Sequence, residues 1–183
     1  MKKAFVIVIF SMLLSACKDS STNSSPSSEM ITANQRKSAI NAYVNSYHAG
    51  LRLLSVSTTN VDTTGKASRW AYCYVDTSLG EHPTFYFHST TSEIGFDSTA
   101  TLLIGPSVIT LRWFDSDSAL IFSQKNGGSQ YCAQYPNARI AASLFQTLSS
   151  NSDVRWRVFY QGGWLTLGLI IDANTGALLG QTR

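Results

Sequence analysis

The feature that most constrains the fold is a series of short strand-forming segments separated by turn residues. In residues 153–160, Val154, Trp156 and Val158 alternate with charged or polar positions. Strict alternation over several residues is typical of a strand with one buried face. Further β-branched or aromatic segments occupy residues 69–75, 84–88, 99–104, 108–114, 119–123, 164–171 and 177–179. The links are short and rich in Gly, Pro, Asp and Ser, so neighbouring strands are expected to pair antiparallel.

Two other segments follow the helical period. Near the start of the domain, Ile40, Val44 and Tyr47 lie on one helical face. Gly50 weakens the continuation of this pattern, so the helix is expected to stop there and the chain to continue as a strand.

The second helical pattern covers residues 138–149, where Ile140 and Leu144 lie on one face after Pro136. No internal repeat is visible in the sequence. The predicted class is therefore α+β. It has a mostly antiparallel sheet of about five to eight strands, an N-terminal helix and a second helix near residues 138–149.

The N-terminus has the pattern of an export signal. A basic start precedes an apolar run at residues 4–14, which is shorter than the roughly 20 residues of a membrane-spanning helix. The run ends in Leu14-Ser15-Ala16-Cys17, which resembles the lipobox of bacterial lipoproteins. The resemblance implies removal of a signal peptide, residues 1–16, and acylation of Cys17, which would hold the protein on a membrane. An ordinary signal peptide with a coincidental cysteine is the alternative.

The same resemblance implies a location. Lys18, rather than Asp, follows the cysteine, which in lipoproteins of the enterobacterial type implies the outer membrane; a domain facing the periplasm is expected. Residues 17–28 are rich in Ser and have little to bury, so they are expected to form a flexible tether. Residues 29–183 are expected to form a single domain.

The two remaining cysteines, Cys73 and Cys132, are predicted to pair in an oxidising compartment. This disulfide would close a loop of about 60 residues and stabilise the fold by on the order of 4 kcal/mol. A metal site or a catalytic thiol is the alternative, but no Cys-x-x-Cys motif is present and no His lies near either residue in sequence.

Charge and motifs exclude several functions. The formal charge of +3 includes Lys2 and Lys3 of the signal peptide, so the mature chain lacks the basic footprint of a nucleic-acid-binding protein. Arg155 and Arg157 share one face of a strand, but two charges do not form a patch. No Gly-x-Ser-x-Gly motif, phosphate loop or dinucleotide fingerprint is present. We therefore expect no cofactor and no enzymatic activity.

Two potential metal or acid–base pairs have simpler explanations. His82 and His88 are six residues apart, which is about 20 Å along a strand and too far for one ion unless the chain folds back. Asp115 and Asp117 are expected to form a turn that bonds to local backbone. No metal site is predicted.

The best candidate for a binding edge is the aromatic segment that includes both of these histidines. Its residues are Glu81, His82, Phe85, Tyr86, Phe87 and His88. Consecutive residues of a strand point to opposite faces, so at least one ring should be less buried. The aromatic face of Trp70, Tyr72 and Tyr74 is expected to pack in the core, with a ligand platform as the alternative.

These observations predict a lipid-anchored, non-catalytic accessory or binding protein of the bacterial envelope, of the assembly, secretion, exclusion or immunity type. Its expected partners are the membrane, through the lipid on Cys17, and an envelope protein. A ligand-binding domain that uses an aromatic face and an envelope-directed hydrolase are the alternatives.

Overall fold

The computed structural model describes residues 29–102, 107–147 and 153–182. The signal peptide, Cys17 and the Ser-rich tether lie outside the described residues. The helices are α1 Lys37–Tyr47, α2 Ser116–Ser123 and α3 Ser129–Gln134, with a kinked π-helical turn, Gln124–Gly128, between the last two. The strands are β1 Arg52–Thr58, β2 Trp70–Val75, β3 Pro83–Ser89, β4 Ile94–Thr101, β5 Arg139–Gln146, β6 Val154–Gly162, β7 Leu165–Asp172 and β8 Leu178–Thr182.

All eight strands form one sheet in the order β4-β3-β2-β1-β5-β6-β7-β8, and every neighbouring pair is antiparallel. The predicted α+β class and antiparallel sheet are confirmed. The order also divides the chain into two halves, since a helical segment precedes four successive strands in each: α1 in the first half, and α2 with α3 in the second. The halves meet where β1 pairs with β5.

The helices cover one face of the sheet. Ile40 of α1, Leu120 of α2 and Tyr131 of α3 pack into the same core as Leu144 and Trp156 from the sheet. Because strand side chains alternate between faces, the neighbours of these sheet residues point away from the helices. No described helix has the length and apolar character needed to cross a membrane.

The predicted second helix near residues 138–149 is wrong, because Arg139–Gln146 forms β5. Ile140 and Leu144 are four residues apart, and this spacing keeps two side chains on one face of either a helix or a strand. Ala142 is also buried, and its position between them fixes the period at two.

The second helical region instead covers residues 116–134, including residues 119–123, which were predicted to be a strand. The buried residues of α2 are Ser116, Ala119, Leu120 and Ser123, which follow the helical period. A prediction based on apolar residues missed this helix because two of its four buried positions are serines.

Other strand boundaries differ in detail. Residues 108–114 were predicted to be a strand, but they lie outside the sheet and contain no regular secondary structure. β4 covers Ile94–Thr101 and so begins earlier than the predicted strand at residues 99–104, of which 103 and 104 lie outside the described residues. α1 ends before Gly50, which has a φ of 89°, and β1 follows as predicted.

Candidate functional site

The predicted binding edge is not an edge of the sheet. β3 is hydrogen-bonded to β2 on one side and to β4 on the other, so this strand has no free backbone for a partner. Phe85 and Phe87 point to the helix-covered face, where Phe87 is fully buried and Phe85 is half-buried. Tyr86 points to the opposite face and is half-buried. Glu81 and His82 lie before β3, with Glu81 exposed and His82 half-buried.

His88 is held inside a charged network. Its Nδ1 lies 2.7 Å from Asp97 Oδ1, and its Nε2 lies 2.8 Å from Glu93 Oε1. Arg69 donates to both carboxylate oxygens of Asp97 at 2.8 Å. Because both ring nitrogens already face carboxylates, His88 serves as a structural link between β3, β4 and their connecting turn. His82 does not join this network.

The predicted disulfide between Cys73 and Cys132 is wrong, because Cys73 is a free, buried thiol. Cys73 lies between Tyr72 and Tyr74, which point toward the helices, so its side chain points to the opposite face of β2. Cys132 lies in α3 and packs into the helix-covered core. The sheet separates the two residues. Burial raises the pKa of Cys73 to about 11, although a hydrogen bond with Tyr86 acts in the opposite direction.

The aromatic face of β2 is core, as the packing interpretation predicted. Trp70 Nε1 donates to the Ile31 carbonyl at 2.8 Å, and the Tyr72 hydroxyl donates to the Ala33 carbonyl at 2.7 Å. The Tyr74 hydroxyl donates to Asn41 Oδ1 at 2.7 Å. These rings are at most 4% exposed. They are therefore not available as a ligand platform.

The side of the sheet opposite the helices carries a different surface, which we call the open face. Two rows of paired residues across β3, β2, β1, β5 and β6 define it. The first row is Tyr86, Cys73, Ser55, Phe145 and Arg155, and the second is His88, Ala71, Ser57, Ser143 and Arg157. Small side chains occupy its centre, and larger polar or aromatic side chains flank them. No described helix packs on this face.

The C-terminal side of the open face, formed by β5 and β6, is distinguished by Arg157. It is exposed, and its guanidinium lies 5.4 Å from the centre of the Phe145 ring. Within the described residues it makes no ion pair, whereas Arg155 lies 3.4 Å from Asp153. Phe145 and the neighbouring Phe159 are half-buried. The C-terminal side therefore presents an unpaired positive charge beside accessible aromatic surface.

A groove of about 460 Å³ lies on the helical side, between α1, the start of β1 and residues 109–113. Trp113 and Leu51 form part of its apolar wall. Lys37 lies 4.3 Å from the centre of the Trp113 ring, and burial lowers the pKa of its amine, although Asp115 opposes the shift. Among the described residues that line the groove, Arg52 is the other cation and none is a carboxylate.

The described residues contain no group of three His, Cys, Asp or Glu side chains that could hold a metal ion. Asp115 and Asp117 cap and begin α2. Asp115 accepts hydrogen bonds from the backbone N–H of Ser116 and of Asn34, at 2.7 and 2.8 Å. The sequence thus correctly predicted local backbone bonding for Asp115, although it placed a turn where the helix begins.

Most of the open face was not predicted from the sequence. Arg155 and Arg157 were correctly predicted to share one face of a strand, but Phe145 was predicted to lie in a helix. The alternation of Ile140, Ala142 and Leu144 with small or polar residues was the available signal.

Comparisons with known proteins bear on the fold. No protein-family model matches the chain, and no curated protein is significantly similar to it. A solved structure from Clostridium difficile 630, described as a "putative lipoprotein", is similar with a TM-score of 0.55 and 12% sequence identity. The match covers 84% of this chain and 95% of the other. At this identity, the two proteins share a fold.

Proposed function

We propose that this protein is a lipid-anchored, non-catalytic binding protein of the bacterial envelope, and that a partner protein docks on its open face. The observation that carries the proposal is Arg157, which is exposed beside the Phe145 ring and has no ion-pair partner among the described residues. Arg and aromatic residues dominate the energetics of protein–protein interfaces. The partner is expected to bring a carboxylate to Arg157 and an apolar group to Phe145.

The proposed anchor rests on the lipobox, Leu14-Ser15-Ala16-Cys17. The description of the Clostridium difficile protein as a lipoprotein supports it. Lys18 favours the outer membrane, with the domain facing the periplasm. Mass spectrometry of the mature protein should find acyl chains on Cys17, and membrane fractionation should place it with the outer membrane. A mature protein that begins elsewhere, or that has an unmodified Cys17, would contradict the anchor.

A binding role is also supported by the chemistry of the cavities. The described residues that line the groove beside α1 include no carboxylate, histidine or cysteine. A smaller cavity of about 170 Å³ beside α3 is lined by glutamines, tyrosines and aliphatic side chains. Neither cavity brings together the acid and base that a hydrolase would use.

Site-specific photocrosslinking tests the docking surface. A benzophenone amino acid at Phe145 reports on the open face, and one at Ile121, which is 52% exposed on α2, is the matched control. In intact envelopes, we expect a discrete crosslinked protein from position 145 and none from 121. Arg157→Glu should abolish the crosslink because it reverses the charge.

Two outcomes would contradict the proposal. Equal crosslinking from both positions would mean that the open face is not selective. Absence of any crosslink, together with degradation of peptidoglycan or lipid by the purified mature protein, would favour an envelope hydrolase.

A further inference from the structure

One tryptophan is placed unlike the other three. Trp70, Trp113 and Trp156 are 0%, 8% and 0% exposed, whereas Trp164 is 102% exposed. Trp164 lies in the two-residue turn between β6 and β7, next to Leu165, which is 55% exposed. The tip of this hairpin therefore presents two adjacent large apolar side chains to the surroundings.

The base of the hairpin is fixed by Tyr131. The backbone N–H of Gly162 donates to the Tyr131 hydroxyl at 2.8 Å, and this hydroxyl donates to the Leu165 carbonyl. Gly162 also packs so closely that an added Cβ would lie 2.6 Å from Cβ of Tyr135. Because both ends of the turn are held, the fold presents the Trp164 side chain at a defined position rather than on a long loop.

The hairpin tip lies at the end of the sheet where the N-terminal segment joins the domain. Ile31 pairs with Ala67, just before the start of β2. The backbone N–H of Val61, just after β1, donates to the Ile140 carbonyl of β5, and Ile140 pairs with Tyr160 near the end of β6. β6 lies three strands from β2, which is a separation of about 15 Å across the sheet.

The length of the preceding chain keeps this end near the proposed anchor. Cys17 is fourteen residues before Ile31, so the segment can extend by at most about 50 Å. Its Ser-rich composition predicts a smaller mean distance, about 20 Å, for an unstructured chain. A lipid on Cys17 therefore holds the end of the sheet that carries Trp164 within reach of the membrane surface.

We propose that Trp164 and Leu165 form a second membrane contact, inserted at the lipid–water interface beside the acylated Cys17. This inference rests on the proposed lipid anchor. The indole is suited to this location because it is apolar over most of its surface and has one N–H donor. Two contacts at one end would limit rotation of the domain and leave the open face accessible along its side.

The test uses the mature acylated protein in phosphatidylethanolamine–phosphatidylglycerol vesicles. Vesicle flotation measures the anchor. Quenching by phospholipids brominated near the glycerol end of their chains measures contact of tryptophan with the interface. We expect flotation, quenching of the exposed tryptophan component, and loss of the component that aqueous acrylamide quenches. Trp164→Phe should remove the bromolipid-quenched component, whereas the control Trp113→Phe should retain it.

The possible failures are distinguishable. If the protein floats but Trp164 remains quenched by acrylamide and not by bromolipid, the second contact is overturned and the anchor is retained. If Trp164 becomes shielded only when envelope proteins are added, the hairpin tip binds a protein and the lipid contact is overturned. If Cys17 carries no acyl chain and the protein does not float, both the anchor and this inference fail.

Discussion

In each half of the molecule a helical segment precedes four antiparallel strands, but the halves differ in the charge balance of the open face. In the N-terminal half, His88 lies between Glu93 and Asp97, and Arg69 completes the network. In the C-terminal half, Arg157 makes no ion pair with any described residue, and its guanidinium lies over the Phe145 ring. The same backbone arrangement can therefore support both a surface whose charges are satisfied internally and one that is available to a partner.

The halves are joined through the core as well as through the pairing of β1 with β5. Trp156 of the C-terminal half makes edge-to-face contacts with Trp70 and Trp113, with ring centroids 6.2 and 5.9 Å apart. Its indole N–H donates to the Phe114 carbonyl at 3.0 Å. A single side chain thus contacts the N-terminal sheet and the segment that links the halves.

The largest effect is expected from Trp156→Ala. The truncation removes a fully buried ring and its contacts with the N-terminal sheet and the linking segment, which should reduce the free energy of unfolding by about 3–5 kcal/mol. Urea unfolding followed by circular dichroism should remain a single transition, because the halves share one core. Trp164→Ala, at the exposed tip, is the control and should change stability by less than about 0.5 kcal/mol. Two separate transitions in the Trp156 variant would show that the halves unfold independently.

A smaller effect is expected from Asp115→Ala. Asp115 accepts from the Thr32 hydroxyl at 2.5 Å and from the backbone N–H groups of Asn34 and Ser116. The substitution removes the N-terminal cap of α2 and leaves partly buried donors without this acceptor, at a cost of about 2–3 kcal/mol. Thermal and urea unfolding measure this cost. Asp115→Asn retains a capping oxygen and should lose less; an equal loss would mean that the cap contributes little.

The fold could be predicted from the sequence where alternation or a run of strand-forming residues was unambiguous. β6 alternates between buried and more exposed residues, and β2, β3 and β7 are rich in aromatic or aliphatic residues; the structure confirms strands at all four positions. The pattern failed where one spacing fits two structures, as for Ile140 and Leu144, and where buried positions are polar. Ser116 and Ser123 are fully buried because their hydroxyls bond to the Gly65 carbonyl and to the Tyr160 hydroxyl, both distant in sequence.

The candidate site could be predicted only in part for the same reason. Alternation placed Arg155 and Arg157 on one face, but it could not identify which strands lie beside them. The sequence also predicted a turn at Gly162 and Gly163, yet the exposure of Trp164 depends on Tyr131 and Tyr135, about thirty residues earlier. The sequence also could not show that the sheet separates Cys73 from Cys132, because that separation follows from the order of the strands.

The difference in charge balance between the two halves predicts that substitutions of Arg157 and Arg69 will affect partner binding differently. Arg157→Ala should weaken binding of the crosslinked partner by about tenfold, or about 1.4 kcal/mol, because it removes an unpaired charge from the proposed interface. Arg69→Ala is the matched control, since Arg69 already pairs with Asp97, and it should change the dissociation constant by less than about twofold. Titration of purified partner against each variant provides the measurement. Equal losses would assign the interface to both halves.

The smallest effect concerns Cys73, which tests whether the N-terminal part of the open face is closed to water. The thiol is 6% exposed, and burial raises its pKa from 9.0 to about 11. Because the folded-state pKa is raised, the contribution of Cys73 to stability is fully present below pH 9 and is lost as the pH rises toward 11. Cys73→Val should therefore flatten the decrease in stability between pH 9 and 11 and leave stability near pH 7 almost unchanged.

A thiol reagent at pH 8 should modify Cys73 in urea but only slowly in the native protein. Rapid modification of Cys73 in the native protein would mean that the N-terminal part of the open face is accessible to solvent, despite the charged network around His88.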